Sequence, residues 1–353
     1  MKILVRGTNW VGDAVMTIPA LRELRRIFPD AEISLAAKPW ADGLFRDADF
    51  IDEIITINKT KPKYRSIFHQ ADLMRDTKFD LAVLLPNSFE SALTTILARV
   101  PRRIGYNKDL RGLLLTDPIA VPEWKDRNHE VFYYLNLVAE TERRVLGKET
   151  VGRFPADISL PVSDERRIKA REIFTNIGID ESRIIIGLGV GSTNSRAKRW
   201  PAKYFAELND LLSEELNAAV VLIGSLDDRD VSEEVMSLSK NKTFDLTGKT
   251  DVGEAAAVLS EVDLLISNDM GLAHIAPSVG TDTIVIFGPT NPETTRPFSD
   301  RSIVVREPVE CSPCMLRDCP IDHRCMTRIS PQRVFDIAAR FLQEDKSVIP
   351  VIS

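Results

Sequence analysis

Leu264-Leu265-Ile266-Ser267-Asn268-Asp269-Met270-Gly271-Leu272-Ala273-His274-Ile275-Ala276 decides the fold. It opens on a short apolar run, the pattern of a parallel strand buried on both faces. After one polar step, Asn268-Asp269, it turns into a helix. A helix that starts at the end of a buried strand presents unpaired amides and the positive end of its dipole, a ready site for a diphosphate. Gly271 allows a ligand close to the backbone. Each residue has a plainer reading as well: Asp269 as the cap of the helix, His274 as a packed helical histidine.

The same pattern recurs upstream. Ile184 to Val190 is nearly continuous apolar sequence, followed by Gly191-Ser192-Thr193-Asn194-Ser195-Arg196-Ala197-Lys198-Arg199-Trp200-Pro201. Small residues let amides approach a phosphate, the polar side chains of Ser192, Thr193 and Asn194 can donate to it, and Lys198 can neutralise it. Pro201 suits the first turn of the next helix, whose core stripe is Phe205, Leu208, Leu212 and Leu216. Further strands are expected at Ala218 to Ile223 and Thr283 to Phe287, with a last helix over Pro331 to Gln343.

The first half follows the same plan. Lys2 to Arg6 is a short strand, and Ala14, Val15, Ile18, Leu21, Leu24 and Phe28 mark an amphipathic helix that Pro19 should kink or delay. Strands are expected at Glu32 to Ala36, Leu81 to Leu85 and Arg103 to Tyr106, with helices around Ser88 to Ala98 and Asn128 to Ala139. Strands alternating with helices indicate parallel sheets covered on both faces. The expected fold is α/β: two doubly wound, Rossmann-like domains facing across a cleft. Residues 1–160 form the first, 161–330 the second, and 331–353 a helix packing back toward the first. Ser159 to Ser163 has linker character. Ligands of such sheets bind beyond the carboxyl ends of the strands.

The first such loop is Gly7-Thr8-Asn9-Trp10-Val11-Gly12-Asp13. It is neither a dinucleotide fingerprint nor a Walker loop. It brings a carboxylate to the mouth of a helix, where Asp13 reads either as an N-cap or as a general base.

Three motifs in this order, G-D at Gly12-Asp13, K-R-W-P at Lys198 to Pro201 and N-D-x-G-L-A-H at Asn268 to His274, resemble glycosyltransferase family 9, with its ADP-heptose:lipopolysaccharide heptosyltransferases II the nearest group. H-E-x-F-Y-Y-L-N-L at His129 to Leu137 and F-G-P-T-N-P at Phe287 to Pro292 strengthen the likeness, which runs along nearly the whole chain. The resemblance implies a GT-B fold with an N-terminal acceptor domain and a C-terminal sugar-nucleotide domain. It implies an inverting transfer of heptose from ADP-L-glycero-D-manno-heptose to the inner-core heptose of lipopolysaccharide, with no cofactor required.

Asp13 would then be the base, with Asn9 and Trp10 on the acceptor side. Ser192, Thr193, Asn194, Lys198, Asp269, Met270, Gly271, Leu272, Ala273 and His274 would hold the donor. Relatives often place a glutamate near the nucleotide ribose, after the second strand of the donor domain. Ile223-Gly224-Ser225-Leu226-Asp227-Asp228 offers Asp227 there only with a shift in register. The basic stretch Arg102, Arg103, Lys108 and Arg111 is either a solvated face or, through Arg102 and Arg103, a contact for anionic groups of a lipid-linked acceptor.

Cys311, Cys314, Cys319 and Cys325, with His323 nearby, are candidates for a structural zinc, although their spacing is tighter than that of a two-knuckle site. The alternative is a cluster of reduced or redox-labile thiols. The chain has 353 residues, 44% hydrophobic and 28% charged, enough for two cores; its net charge of −6 opposes general nucleic-acid binding. The apolar run after Met1-Lys2 is too short for a signal peptide, and no long apolar span follows. The expected place is therefore the cytoplasm, with peripheral contact at the inner membrane. A nucleotide-dependent oxidoreductase is disfavoured by the missing G-x-G-x-x-G, and an exported solute-binding protein by the missing signal.

Overall fold

The computed structural model describes residues 1–58, 62–180 and 182–343. It divides into two compact units, Met1–Leu160 and Pro161–Ser353. The first contains β1 (Lys2–Arg6), β2 (Glu32–Ala37), β3 (Glu53–Thr56), β4 (Leu81–Leu84), β5 (Arg102–Tyr106) and β6 (Asp117–Ile119). They form one parallel sheet in the order β3-β2-β1-β4-β5-β6. The second contains β7 (Ile185–Gly189), β8 (Ala219–Leu222), β9 (Thr243–Asp245), β10 (Leu264–Asn268), β11 (Asp282–Phe287) and β12 (Ser302–Arg306). Their order, β9-β8-β7-β10-β11-β12, repeats the plan of the first sheet, again all parallel.

In both sheets the strand order reverses beside the first strand, between β1 and β4 and between β7 and β10. A crevice opens at such a point beyond the carboxyl ends of the strands. The loops leaving β1, β4, β7 and β10 are therefore the ones that can hold ligands, and the sequence motifs fall on three of them.

Local chemistry explains the element ends. Pro19 splits the first helical segment into Val11–Met16 and Ile18–Ile27, because it has no N–H to continue the ladder. The helix Glu130–Leu146 stops at Gly147, which takes the left-handed conformation at φ 64°. The core of the second unit joins Ile186, Leu188, Trp200, Phe205, Leu264 and Ile284. No helix among the described residues is long and apolar enough to cross a membrane.

The helix Pro331–Gln343 packs against the helix Ala202–Leu216 of the second unit. Its buried Val334, Ala338 and Phe341 recur at helical spacing and complete that unit's core. Residues 344–353 of the expected segment lie outside the described residues.

Arg102 and Arg103 begin β5 and pair in register with Leu81 and Ala82, at the amino edge of the sheet. Both are engaged in holding the sheet. Arg102 donates to both Asp117 oxygens, at 3.2 and 3.0 Å, and to the Arg144 carbonyl at 2.8 Å. Arg103 donates to the carbonyls of Leu114 and Val100 at 2.9 and 2.6 Å.

The Arg102 fork holds the Asp117 carboxyl below its usual range, with the Thr116 hydroxyl assisting against partial burial. A lowered folded value stabilises the protein above the unfolded carboxylate's pKa, about 3.9, and that contribution fades as pH falls through the folded value. Asp117→Asn should cost about 0.5–1 kcal/mol at pH 7, a modest figure because Arg102 is partly in solvent. Denaturant titrations of both proteins at pH 7 and pH 3 should show the gap narrowing in acid.

Candidate functional site

In the second unit the loops after β7 and β10 are tied by one side chain. Asn268, fully buried at the end of β10, donates through Nδ2 to the carbonyls of Val190 and Gly191, at 2.7 and 3.2 Å. Its Oδ1 accepts from the Trp200 N–H at 2.9 Å. Trp200, also fully buried, anchors its indole N–H on the Ile329 carbonyl at 3.0 Å. The small-residue loop is thus fixed at both ends against β10.

Between those anchors lies Lys198, in a short 3-10 turn, Arg196–Lys198. Its ammonium pairs with Asp269 Oδ2 at 2.8 Å. The same carboxylate oxygen accepts from Thr290 Oγ1 at 2.7 Å. Asp269 is buried and Lys198 only partly so.

Asp269 is not the cap of the helix Gly271–Ser278. Met270 occupies the N-cap position, and no side chain caps that end. Uncapped amides beside a partly exposed lysine are groups that suit a phosphate. Leu272 and Ala273 turn their side chains into the interior, so they offer backbone only. His274 is buried one turn into the helix. Ser192 is buried, whereas Thr193 and Asn194 are exposed at the tip of their loop. Thr290, which the sequence placed only in a family motif, is the residue that orients Asp269.

Gly191 has a steric reason. A Cβ there would lie 2.0 Å from the carboxyl carbon of Asp228. Asp228 is buried, receives the N–H and hydroxyl of Ser225 at 3.0 and 2.7 Å, and keeps Oδ1 without a hydrogen-bond partner. Asp227, the residue offered by the sequence near the ribose, is exposed. The carboxylate turned toward the loop is therefore its neighbour, because Asp228 closes the capping box with Ser225.

In the first unit, β1 ends in Arg6, whose guanidinium is buried and donates to the carbonyls of Gly7 and Ala36 at 2.6 and 3.2 Å. Burial lowers its pKa to about 10, partly offset by the charge of Glu90. Trp10 takes the N-cap position of the helix Val11–Met16 without capping it, and Asp13 lies in the first turn. The N-cap reading of Asp13 is therefore set aside. Tyr134 is buried within its electrostatic reach: burial first, and then the Asp13 charge, pushes the phenol well above its ordinary pKa.

Asn9 Oδ1 and Thr8 Oγ1, in the same loop, are buried without hydrogen-bond partners. Trp10 is half exposed, with the Lys38 ammonium 5.1 Å above its ring. Arg111 is fully buried, donating to the Tyr106 carbonyl at 2.8 Å and to Asn87 Oδ1 at 3.2 Å. It thereby ties the loop after β4 to that after β5.

Two switch points, one acidic and one with a cation over a helix terminus, carry the motifs of a known family. The model of Glycosyltransferase family 9 (heptosyltransferase) matches residues 68–324. The chain belongs to glycosyltransferase family 9. It is 28% identical to lipopolysaccharide heptosyltransferase 2 of Escherichia coli K12, over 98% of this chain and 100% of that one. It is 30% identical to lipooligosaccharide heptosyltransferase 2 of Haemophilus influenzae, over 87% and 88% of the two chains. The structure of E. coli ADP-heptose LPS heptosyltransferase II matches at TM-score 0.83 and 27% identity, covering 97% of this chain and 98% of that one. The two parallel six-stranded sheets are the GT-B architecture of these family 9 enzymes.

The remaining family motifs now have physical roles. Tyr133 stacks on Tyr106 with ring centroids 4.1 Å apart, and Asn136 donates to the Tyr106 hydroxyl at 2.9 Å. H-E-x-F-Y-Y-L-N-L thus locks its helix onto the carboxyl end of β5. F-G-P-T-N-P supplies Thr290 to Asp269 and Asn291 as the cap of the helix Pro292–Thr295.

All four cysteine thiols are free. Cys325 is buried in the second core, while Cys311 faces solvent. Burial raises the pKa of Cys325, and the neighbouring Cys319, Cys311 and Cys314 raise it further. Among the described residues no group of three or more His, Cys, Asp or Glu is arranged to hold a metal ion.

Gly191→Ala should destabilise the second unit by about 1–3 kcal/mol, the usual cost of overpacking. Removing the opposing carboxylate should relieve it. In a double-mutant cycle followed by denaturation, Gly191→Ala should cost at least about 1 kcal/mol less in an Asp228→Ala background. An unchanged cost would show that this contact is not what requires glycine.

Proposed function

We propose that this family 9 enzyme is an inverting heptosyltransferase, taking heptose from ADP-L-glycero-D-manno-heptose and adding it to the inner-core heptose of a lipid-linked lipopolysaccharide acceptor. The observation that carries the donor assignment is the partly exposed Lys198, held by Asp269 beside the uncapped N-terminus of Gly271–Ser278. Similarity at 27–28% identity to heptosyltransferases II over nearly the whole chain supports the donor sugar and the acceptor class.

On this reading residues 161–330 bind the donor and residues 1–160 the acceptor. Asp13 removes the proton of the acceptor hydroxyl as its oxygen attacks the anomeric carbon. The bond from that carbon to the β-phosphate oxygen breaks in the same displacement, inverting the configuration, and ADP leaves with the bonding pair. The charge growing on ADP is met by Lys198 and the amides near Gly271, fixed in place before the reaction. Asp269 and Thr290 keep Lys198 aimed. The raised pKa of Tyr134 keeps its phenol neutral beside Asp13, so the carboxylate is the basic group there. A lipid-linked acceptor would bring the enzyme to the cytoplasmic face of the inner membrane as a peripheral protein.

The donor assignment is tested by calorimetry with ADP, UDP, GDP and NAD. ADP should bind selectively, and Lys198→Ala should weaken it roughly tenfold to a hundredfold, the range of a charge-assisted contact. Equal ADP affinity in the variant would remove Lys198 from the donor site, and preference for UDP or GDP would move the donor sugar.

The base is tested separately. Asp13→Asn and Asp13→Ala should each lower kcat by about 10²–10⁴ while leaving ADP affinity unchanged. Wild-type turnover in either variant would overturn the assignment.

A further inference from the structure

The proposed mechanism leaves the cysteine-rich segment, residues 311–325, without a role. Its polar contacts give it one. Ala197, the residue before Lys198, is held from both sides by this segment. Its N–H donates to the Arg317 carbonyl at 2.9 Å, and its carbonyl lies 2.6 Å from His323 Nε2. A carbonyl can only accept, so Nε2 carries the proton. Ser195 Oγ adds contacts to the carbonyls of Leu316 and Arg317 at 3.3 and 3.2 Å, and Arg196 pairs with Asp318 at 2.7 Å.

The other side of the segment is fastened to the loop after β11. Ser312 Oγ donates to the Gly288 carbonyl at 2.6 Å, and the Met315 N–H to the Pro289 carbonyl at 2.8 Å. The next residue is Thr290, which orients Asp269. One strap thus fixes both flanks of the Lys198–Asp269–Thr290 arrangement. His323 itself has φ 56°, a left-handed conformation that a bulky side chain adopts only at some cost. Its contact with Ala197 gives that conformation a use.

We infer that His323 is a positioning residue for donor binding: its imidazole N–H holds the Ala197 carbonyl and with it the turn that aims Lys198 at the donor diphosphate. The inference rests on the donor reading of Lys198. The alternative role, stability of the fold alone, makes different predictions. Exposed ion pairs such as Arg196–Asp318 contribute little, so the partly buried bonds to Ala197 and Ser195 should carry the effect.

The test uses the full chain, with ADP as the probe in calorimetry and thermal unfolding measured alongside. His323→Phe keeps the ring's bulk and removes the donor; His323→Gln restores an N–H of similar reach. His323→Phe should weaken ADP about fivefold, the effect of one hydrogen bond, and raise the donor KM by the same factor. The acceptor KM should stay unchanged, and His323→Gln should recover most of the loss.

Wild-type ADP affinity in His323→Phe, or a lower melting temperature with no loss of ADP affinity, would overturn the inference. Should His323→Phe not fold, Ser195→Ala decides: about a twofold to threefold loss of ADP affinity supports the strap, and no loss overturns it. Lys198→Ala, run in parallel, separates the two claims. If it weakens ADP while the strap variants do not, only the strap fails. If it too leaves ADP affinity intact, the donor reading falls and the inference with it.

Discussion

The side-chain amide of Asn268 is the interaction on which the arrangement of the second unit depends. From the end of β10 it donates to the loop leaving β7 and accepts from Trp200. Without it, two buried carbonyls and one buried N–H would lose partners in an interior where each unsatisfied group costs about 1–3 kcal/mol. More than stability is at stake, because these bonds set where the small-residue loop lies against the helix Gly271–Ser278. Lys198 can pair with Asp269 only because the chain on either side of it is held at Gly191 and at Trp200. Thr290 then fixes the carboxylate, and the electrostatic character of the site follows from that fixed geometry.

The two units use one topology for opposite chemistry. Each reverses strand order beside its first strand and so offers a crevice at the same place. In the second unit a helix terminus without a side-chain cap faces that place beside a lysine, which favours an anion. In the first, Asp13 lies in the first turn of its helix with a neutral phenol nearby, which favours removal of a proton. On the proposed reading, a glycosyl transfer from a nucleotide diphosphate to a hydroxyl would draw on both functions.

The central strands were legible in the sequence because they are buried on both faces. β1, β2, β4, β7, β8, β10 and β11 stand where apolar runs foretold them, and in β5 only Ile104, Gly105 and Tyr106 are buried. The four strands that escaped notice, β3, β6, β9 and β12, are the edges of the two sheets. Each is only partly buried, and their short apolar stretches sit beside polar or charged residues. The loop motifs were legible for a different reason, since their residue types are those that anion binding requires. Arg102 and Arg103 look alike in the sequence, yet Arg102 pairs with Asp117 whereas Arg103 donates to backbone carbonyls. Thr290 and His323 could not be assigned from spacing, because the contacts that define them join segments far apart in the chain.

The most direct test is to incubate the purified enzyme with ADP-heptose and a heptose-terminated inner-core acceptor, and to follow both products by mass spectrometry and NMR. The account predicts an acceptor heavier by one heptosyl residue, one equivalent of ADP, and an anomeric configuration opposite to that of the donor. Retained configuration would contradict the single displacement driven by Asp13. Release of ADP with free heptose and no glycosylated acceptor would contradict the transferase reading itself.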